Sequence, residues 1–158
     1  MAGKRGRRAS DEELLRFVDD VALVYERGGH SRMAGRILGW LLVCDPPHQT
    51  AGQLAEALQA SKASISTNIR LFVDIGLVKR TTFPPDRRDY YLIAADVWPQ
   101  AMERTLPMVA AFGDLAGRGV GLVGGGSAAA RLRDARDFYD YYQRETRALL
   151  ARWRDGDR

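Results

Sequence analysis

Thr50-Ala51-Gly52-Gln53-Leu54-Ala55-Glu56-Ala57-Leu58-Gln59-Ala60-Ser61-Lys62-Ala63-Ser64-Ile65-Ser66-Thr67-Asn68-Ile69-Arg70-Leu71-Phe72-Val73-Asp74-Ile75-Gly76 contains two helix starts in close succession. Thr50 followed by Gln53 is a capping box: the hydroxyl accepts from the third amide and the Gln53 side chain reaches back. Leu54, Ala55 and Leu58 give the first helix an apolar stripe, and Gln59-Ala60 make a turn. Ser61 caps a second helix from Lys62 to about Ile75. The 3.6-residue period predicts that Ile65, Ile69, Phe72 and Val73 are buried there. Ala63, Ser64, Thr67 and Arg70 then share the outer face. Gly76 fits the left-handed position that closes a helix.

The next residues change period. Leu77 to Phe83 is rich in strand formers, Pro84-Pro85-Asp86-Arg87-Arg88 is a basic turn, and Asp89-Tyr90-Tyr91-Leu92-Ile93 reads as a return strand. Two short helices at a tight turn, then a basic hairpin, form a helix-turn-helix with a wing. In that layout the second helix enters a DNA major groove and the wing tip reaches the minor groove. The expected DNA-facing residues are Thr50, Gln53, Ser61, Lys62, Ala63, Ser64, Thr67 and Arg70 on the helices. On the wing they are Lys79, Arg80, Asp86, Arg87 and Arg88. Ser61 and Ser64 should anchor phosphates, Thr67 and Arg70 should face bases, and Arg88, oriented by Asp86, should enter the minor groove.

Ser61-Lys62-Ala63-Ser64-Ile65-Ser66, running into Val73-Asp74-Ile75-Gly76-Leu77-Val78 and then Asp86-Arg87-Arg88, resembles the MarR-type winged-helix regulators. The segment from Gly28 to Leu42 is similar to the GbsR-like branch of that superfamily. The resemblance covers about Val21 to Ala94. The Leu-Thr pair that often closes the second wing strand is replaced here by Ala94-Ala95. The resemblance implies a homodimer with interlaced terminal helices on a pseudo-palindromic double-stranded operator. It also implies a repressor released by a small effector, and the GbsR-like branch hints at choline-like ligands. Tyr25, Trp40, Trp98 and Phe112 are candidates for an aromatic effector box that would hold a cation on its ring faces. The bland reading of those four is core packing.

The chain has 158 residues, 46% of them hydrophobic, enough for a globular core. Lys and Arg number 24 against 20 acids, a formal charge of +4. The excess gathers at Lys4-Arg5-Arg7-Arg8, at Arg70 and from Lys79 to Arg88, which suits a polyanion. The lone cysteine, Cys44, excludes an intramolecular disulfide. The N-terminus lacks the apolar stretch of a signal peptide, and the longest apolar run, Ile37 to Cys44, is short for a bilayer. A cytoplasmic protein with no membrane partner is expected.

Outside the winged helix, Ser10 and Glu13 box the start of a helix from Asp11 to Arg27, with Leu14, Phe17 or Val18, Val21, Val24 and Tyr25 on one side. Gly28-Gly29 break it, and Ser31 to Cys44 reads as a second, core helix stopped by Asp45-Pro46-Pro47. Asp96 is expected to cap a helix to about Gly117, kinked at Pro107, with Pro99 in its first turn. Gly117 to Ser127 is expected to be a connector and Ala128 to Trp153 a terminal helix. The expected fold is mainly α with a small β-wing: an arm and dimerisation helix at 1–28, a winged helix-turn-helix at 29–95, and a helical dimerisation region at 96–158.

Other signals are weaker. Gly119-x-Gly121-x-x-Gly124 matches the dinucleotide fingerprint as a string but follows no strand, so a flexible inter-helix loop is expected and no cofactor. Cys44 closes an apolar helix and is expected to be buried and inert rather than a redox sensor. His30 and His48 with one cysteine offer too few ligands for a closed zinc site, so no metal is expected. No nucleophile spacing points to an enzyme. The rival reading is a winged-helix module that docks a protein partner and binds no specific DNA; the basic wing argues against it.

Overall fold

The computed structural model describes residues 10–156, so the basic arm at Lys4 to Arg8 lies outside the described residues. Packing divides the chain into two units, 1–97 and 98–158.

The first unit begins with α1 (Asp11–Arg27), whose Ser10–Glu13 capping box is formed in both directions. Ser31 accepts from the Ala34 amide and starts α2 (Arg32–Val43). The two helices lie unusually close because Gly35 and Gly39 have no side chains. A Cβ on Gly35 would sit 2.5 Å from the Ala22 Cα and 2.9 Å from the Tyr25 Cβ. One on Gly39 would sit 3.0 Å from the Val18 Cα. Val18 and Ala22 are accordingly the fully buried residues of α1. Of the alternatives Phe17 and Val18, Val18 is the buried one, and Val24, expected on the inner stripe, is exposed because the glycine contact turns that stripe toward Val18 and Ala22. Thus α1, which the sequence assigns to the dimerisation region, packs on α2.

Next come β1 (Gln49–Thr50), α3 (Ala51–Ala57) and α4 (Lys62–Asp74). Leu54, Leu58, Ile65, Ile69 and Phe72 close over Ile37 and Leu38 as the core. Val73, expected in that core, is only half-buried, because it lies beside a cleft rather than under α2. Gly76, at φ +78°, ends α4 in the left-handed conformation expected of it. The strands β2 (Lys79–Thr81) and β3 (Tyr90–Leu92) pair antiparallel, with Thr81 opposite Tyr90 and Arg80 opposite Tyr91. On its other edge β3 pairs with β1, Thr50 opposite Tyr90, so the order is β1-β3-β2.

The second unit departs from the sequence expectation. The single kinked helix is instead α5 (Val97–Glu103), which starts at the last residue of the first unit, and α6 (Leu106–Val123). The break falls at Arg104-Thr105, and Pro107 sits in the first turn of α6, where its missing N–H costs nothing. The expected glycine connector is largely helix: α6 runs through Gly117, Gly119 and Gly121 and stops at Gly124, φ +67°. These glycines let α6 approach α7 (Gly126–Arg154): a Cβ on Gly119 would sit 3.1 Å from Leu132, and one on Gly113 3.2 Å from Asp140. Arg154 pairs with Glu103 and ties the end of α7 to α5.

Residues 97–123 form a helical stretch long and apolar enough, by length and composition, to cross a membrane. The expectation from Ile37 to Cys44 therefore holds only for unbroken apolar runs. Few large apolar side chains of the second unit are buried. Leu106 and Leu150 are, whereas Met108, Phe112, Leu115, Leu122, Phe138, Leu149 and Trp153 stay exposed, Leu122 at 87%.

Candidate nucleic-acid interface

The helix-turn-helix is aimed by groups the sequence reading did not single out. Arg36 of α2 donates from Nε to Asp19 of α1 at 3.1 Å and from a terminal nitrogen to the Leu58 carbonyl at 2.9 Å. It therefore joins three helices at the end of α3. The Ser31 hydroxyl donates to the Asn68 side chain, and Asn68 donates to the Ser64 carbonyl at 2.8 Å. That chain of bonds sets the rotation of α4 about its own axis.

With α4 so fixed, Lys62, Ala63, Ser66, Thr67 and Arg70 are exposed, while Ile65, Ile69 and Phe72 point inward. Positions 63, 67 and 70 recur at helical spacing and share one outer strip. Ser61 accepts from the Ser64 amide at 3.1 Å, and Ser64 is half-buried beneath the strip. Arg70 does not stand alone. It lines a cleft of about 340 Å³ with Ser66, Ile69, Val73, Asp74, Arg80 and Tyr91, so the recognition helix and strand β2 meet there. Arg80 is also 3.6 Å from Asp89.

Thr50 and Gln53, expected to face DNA, are engaged with each other at the start of α3. Thr50 is 8% exposed because β1 pairs with β3, and its hydroxyl is committed to the cap. Thr50 accepts from the Gln53 amide at 3.2 Å, and the Gln53 carboxamide oxygen accepts from the Thr50 amide at 2.8 Å. Gln53 stays on the surface, but that oxygen is committed.

At the wing tip, Asp86 clasps Arg88 twice. Its carboxylate accepts from the Arg88 amide at 2.9 Å and from the guanidinium Nε at 2.8 Å. Tyr90 completes the clasp, donating its hydroxyl to Asp86 at 2.8 Å and accepting from Arg88 at 3.1 Å. The Arg88 side chain, then its amide, then Tyr90 hold the Asp86 carboxyl well below the usual carboxylate range. A depressed carboxylate contributes above its ordinary pKa and loses that contribution only as pH falls through the lowered value. The clasp should therefore be indifferent to pH between about 5 and 8. Behind it, His48, Phe83 and Tyr90 form an aromatic cluster, His48 lying 4.6 Å from Phe83 and 5.3 Å from Tyr90 by ring centres. Lys79, Arg80 and Arg87 are exposed.

Of the four effector candidates, Tyr25 and Trp40 belong to the first unit and lie in different clefts there. Tyr25 lines an apolar cleft of about 360 Å³ with Val24, His30, Leu71, Phe72 and Ile75. Trp40 lines a different cleft beside Ser10, Asp11 and Cys44. Trp98 and Phe112 belong to the second unit, where Phe112 stacks on Tyr139 with ring centres 5.6 Å apart. In that second cleft Cys44 is half-buried. Burial, reinforced by Asp45, pushes its thiol up to about 11. At pH 8 roughly one thiol in a thousand would be ionised, so iodoacetamide should react far more slowly than with a free thiol. The rate should climb between pH 9 and 11. Ordinary reactivity at pH 8 in the folded protein would contradict the raised thiol pKa.

Comparison with known proteins agrees with this geometry. Residues 29–89 match the model of the MarR family, and residues 96–156 match that of the MmpR5-like MarR family transcriptional regulators. The chain is 33% identical over 146 residues to the HTH-type transcriptional regulator MmpR5 of Mycobacterium tuberculosis, covering 91% of this chain and 88% of that protein. A crystal structure of a transcriptional regulator superimposes with a TM-score of 0.81 at 33% identity, over 90% of this chain and 99% of that one. The matching branch is MmpR5-like. In the segment from Gly28 to Leu42, on which the expectation of a GbsR-like branch rested, Gly35 and Gly39 serve the packing of α1 on α2. The chain belongs to the MarR family of winged-helix transcriptional regulators, among its MmpR5-like members.

Proposed function

We propose that the chain works in the cytoplasm as a homodimeric repressor on a pseudo-palindromic operator, released by a small effector. The observation that carries the DNA-binding part of this reading is the cleft that Arg70 of α4 and Arg80 of β2 line together, with Asp74 beside them, so that the outer strip of α4 adjoins the wing strand. A major groove admits a helix, and each α4 would enter one, with half-sites roughly 10 bp apart. Thr67 and Arg70 face base edges. Ser61, Lys62 and Ser64 lie near the α4 N-terminus, where phosphates are favoured, with Ala63 alongside them. Lys79, Arg80 and Arg87 meet phosphates, and Arg88 enters the minor groove. Gln53 contributes at most its amino group.

The dimer is supported by the exposed apolar side chains of α6 and α7, which two helices cannot cover by themselves. Of the four aromatics, Tyr25 is placed to matter for release. Its cleft is bordered by Leu71, Phe72 and Ile75 at the end of α4, so an apolar ligand there would bear on the recognition helix.

The test is fluorescence anisotropy with an operator selected from random DNA by the full-length protein. Arg88→Ala should weaken binding by about 1–3 kcal/mol at physiological salt. Wild-type affinity in that variant would remove the wing from the interface.

A further inference from the structure

Arg88 is a long, exposed side chain, and an unrestrained arginine loses rotamer freedom when it enters a groove. Here the guanidinium is already held. Asp86 is its charge partner, but Asp86 lies two residues away on the same turn and so does not by itself tie Arg88 to the sheet. The tie to the folded sheet comes from Tyr90. This residue sits in the central strand, opposite Thr81 on one side and Thr50 on the other. Its ring is wedged against His48 and Phe83, with centres 5.3 and 5.1 Å away, and Arg88 lies over its face at 5.7 Å. Its hydroxyl meets both Asp86 and Arg88.

We propose that Tyr90 is a positioning residue for minor-groove recognition: its hydroxyl fixes the Asp86–Arg88 pair to the sheet and so presents Arg88 in one orientation at the wing tip. This rests on the DNA-binding reading above. His48 and Phe83 act one step further back, by holding the ring. Preorganisation of this kind favours binding without adding any contact to DNA. It also sharpens sequence preference, because a fixed guanidinium responds to groove width, and narrow A·T-rich minor grooves attract it most.

Tyr90→Phe keeps the ring and its packing and removes the hydroxyl. Full-length wild type, Tyr90→Phe, Arg88→Ala and the double variant are compared on the selected operator. The same operator with its wing-contacted flanks changed from A·T to G·C is the second probe. Tyr90→Phe should unfold within a few degrees of wild type, bind the operator about five- to tenfold more weakly, and discriminate less between the two flanks. In the Arg88→Ala background the same change should alter affinity less than about twofold, because nothing is left to position. Equal losses in both backgrounds would show a general structural role and overturn the proposal. So would wild-type affinity in Tyr90→Phe while Arg88→Ala is weakened. If Arg88→Ala itself binds as wild type, the wing reading fails and the proposal fails with it.

Discussion

Gly35→Val should cost about 3 kcal/mol or more of folding stability, lowering the melting temperature by roughly 6–12 °C. A Cβ at position 35 would stand 2.5 Å from the Ala22 Cα, a backbone atom that no side-chain rotation can move aside. Relief requires α1 to lift from α2. That would uncover Val18, Ala22, Ala34 and Ile37, all fully buried. Alanine normally gains up to about 1 kcal/mol over glycine inside a helix, so helix propensity opposes the clash and does not cause it. Gly121→Ala is the control: nothing lies within 4 Å of its Cβ position in α6, and that variant should be neutral or more stable. Thermal unfolding of the two variants checks the contrast. Equal melting temperatures would mean that α1 and α2 are not in close contact.

Deletion of residues 128–158 should abolish operator binding and leave a poorly soluble product. The truncation removes α7, against which the glycines of α6 pack, and exposes the inner face of α6 in addition to Phe112, Leu115 and Leu122. It also removes the α7 part of the proposed dimer surface. A monomer with one half-site loses the avidity of a linked pair, about 10²- to 10⁴-fold. Sedimentation and operator titration of the purified product read both effects. A soluble truncated monomer with full operator affinity would refute the interlaced-terminus dimer.

The legible parts of this fold are those written locally. Ser10, Ser31, Thr50 and Ser61 each cap the helix that follows them, and Gly76 ends α4 where a left-handed residue was needed. The wing was legible from its strand formers and its basic turn. What stayed hidden depends on partners distant in sequence. Strand β1 is two residues long and exists only because Gln49 and Thr50 pair with Tyr91 and Tyr90. That pairing also buries Thr50, whose capping role was legible but whose burial was not. The run from Gly117 to Gly124 reads as a connector by propensity, but contact with Leu132 on α7 outweighs it and keeps most of the run helical. Arg36 and Asn68 carried no sequence signal of their own; their roles depend on Asp19, Leu58 and Ser31, which only the folded chain places beside them. Tyr90 is the instructive miss within the site. It stands four residues after Asp86 in a strand already identified, yet only the hairpin geometry brings its hydroxyl onto the clasp.

The central claim is that the outer strip of α4 reads sequence while the wing strand supplies charge, although Arg70 and Arg80 line the same cleft. The most direct measurement is binding of operator and random DNA across a salt series by wild type, Arg70→Ala and Arg80→Ala. Arg80→Ala should lower the slope of log K against log salt by about 1 and weaken both DNAs alike. Arg70→Ala should instead flatten the preference for operator over random DNA, by about 1–3 kcal/mol. If wild type binds both DNAs equally, or if Arg70→Ala weakens both equally, α4 is not the reading element and the account is contradicted.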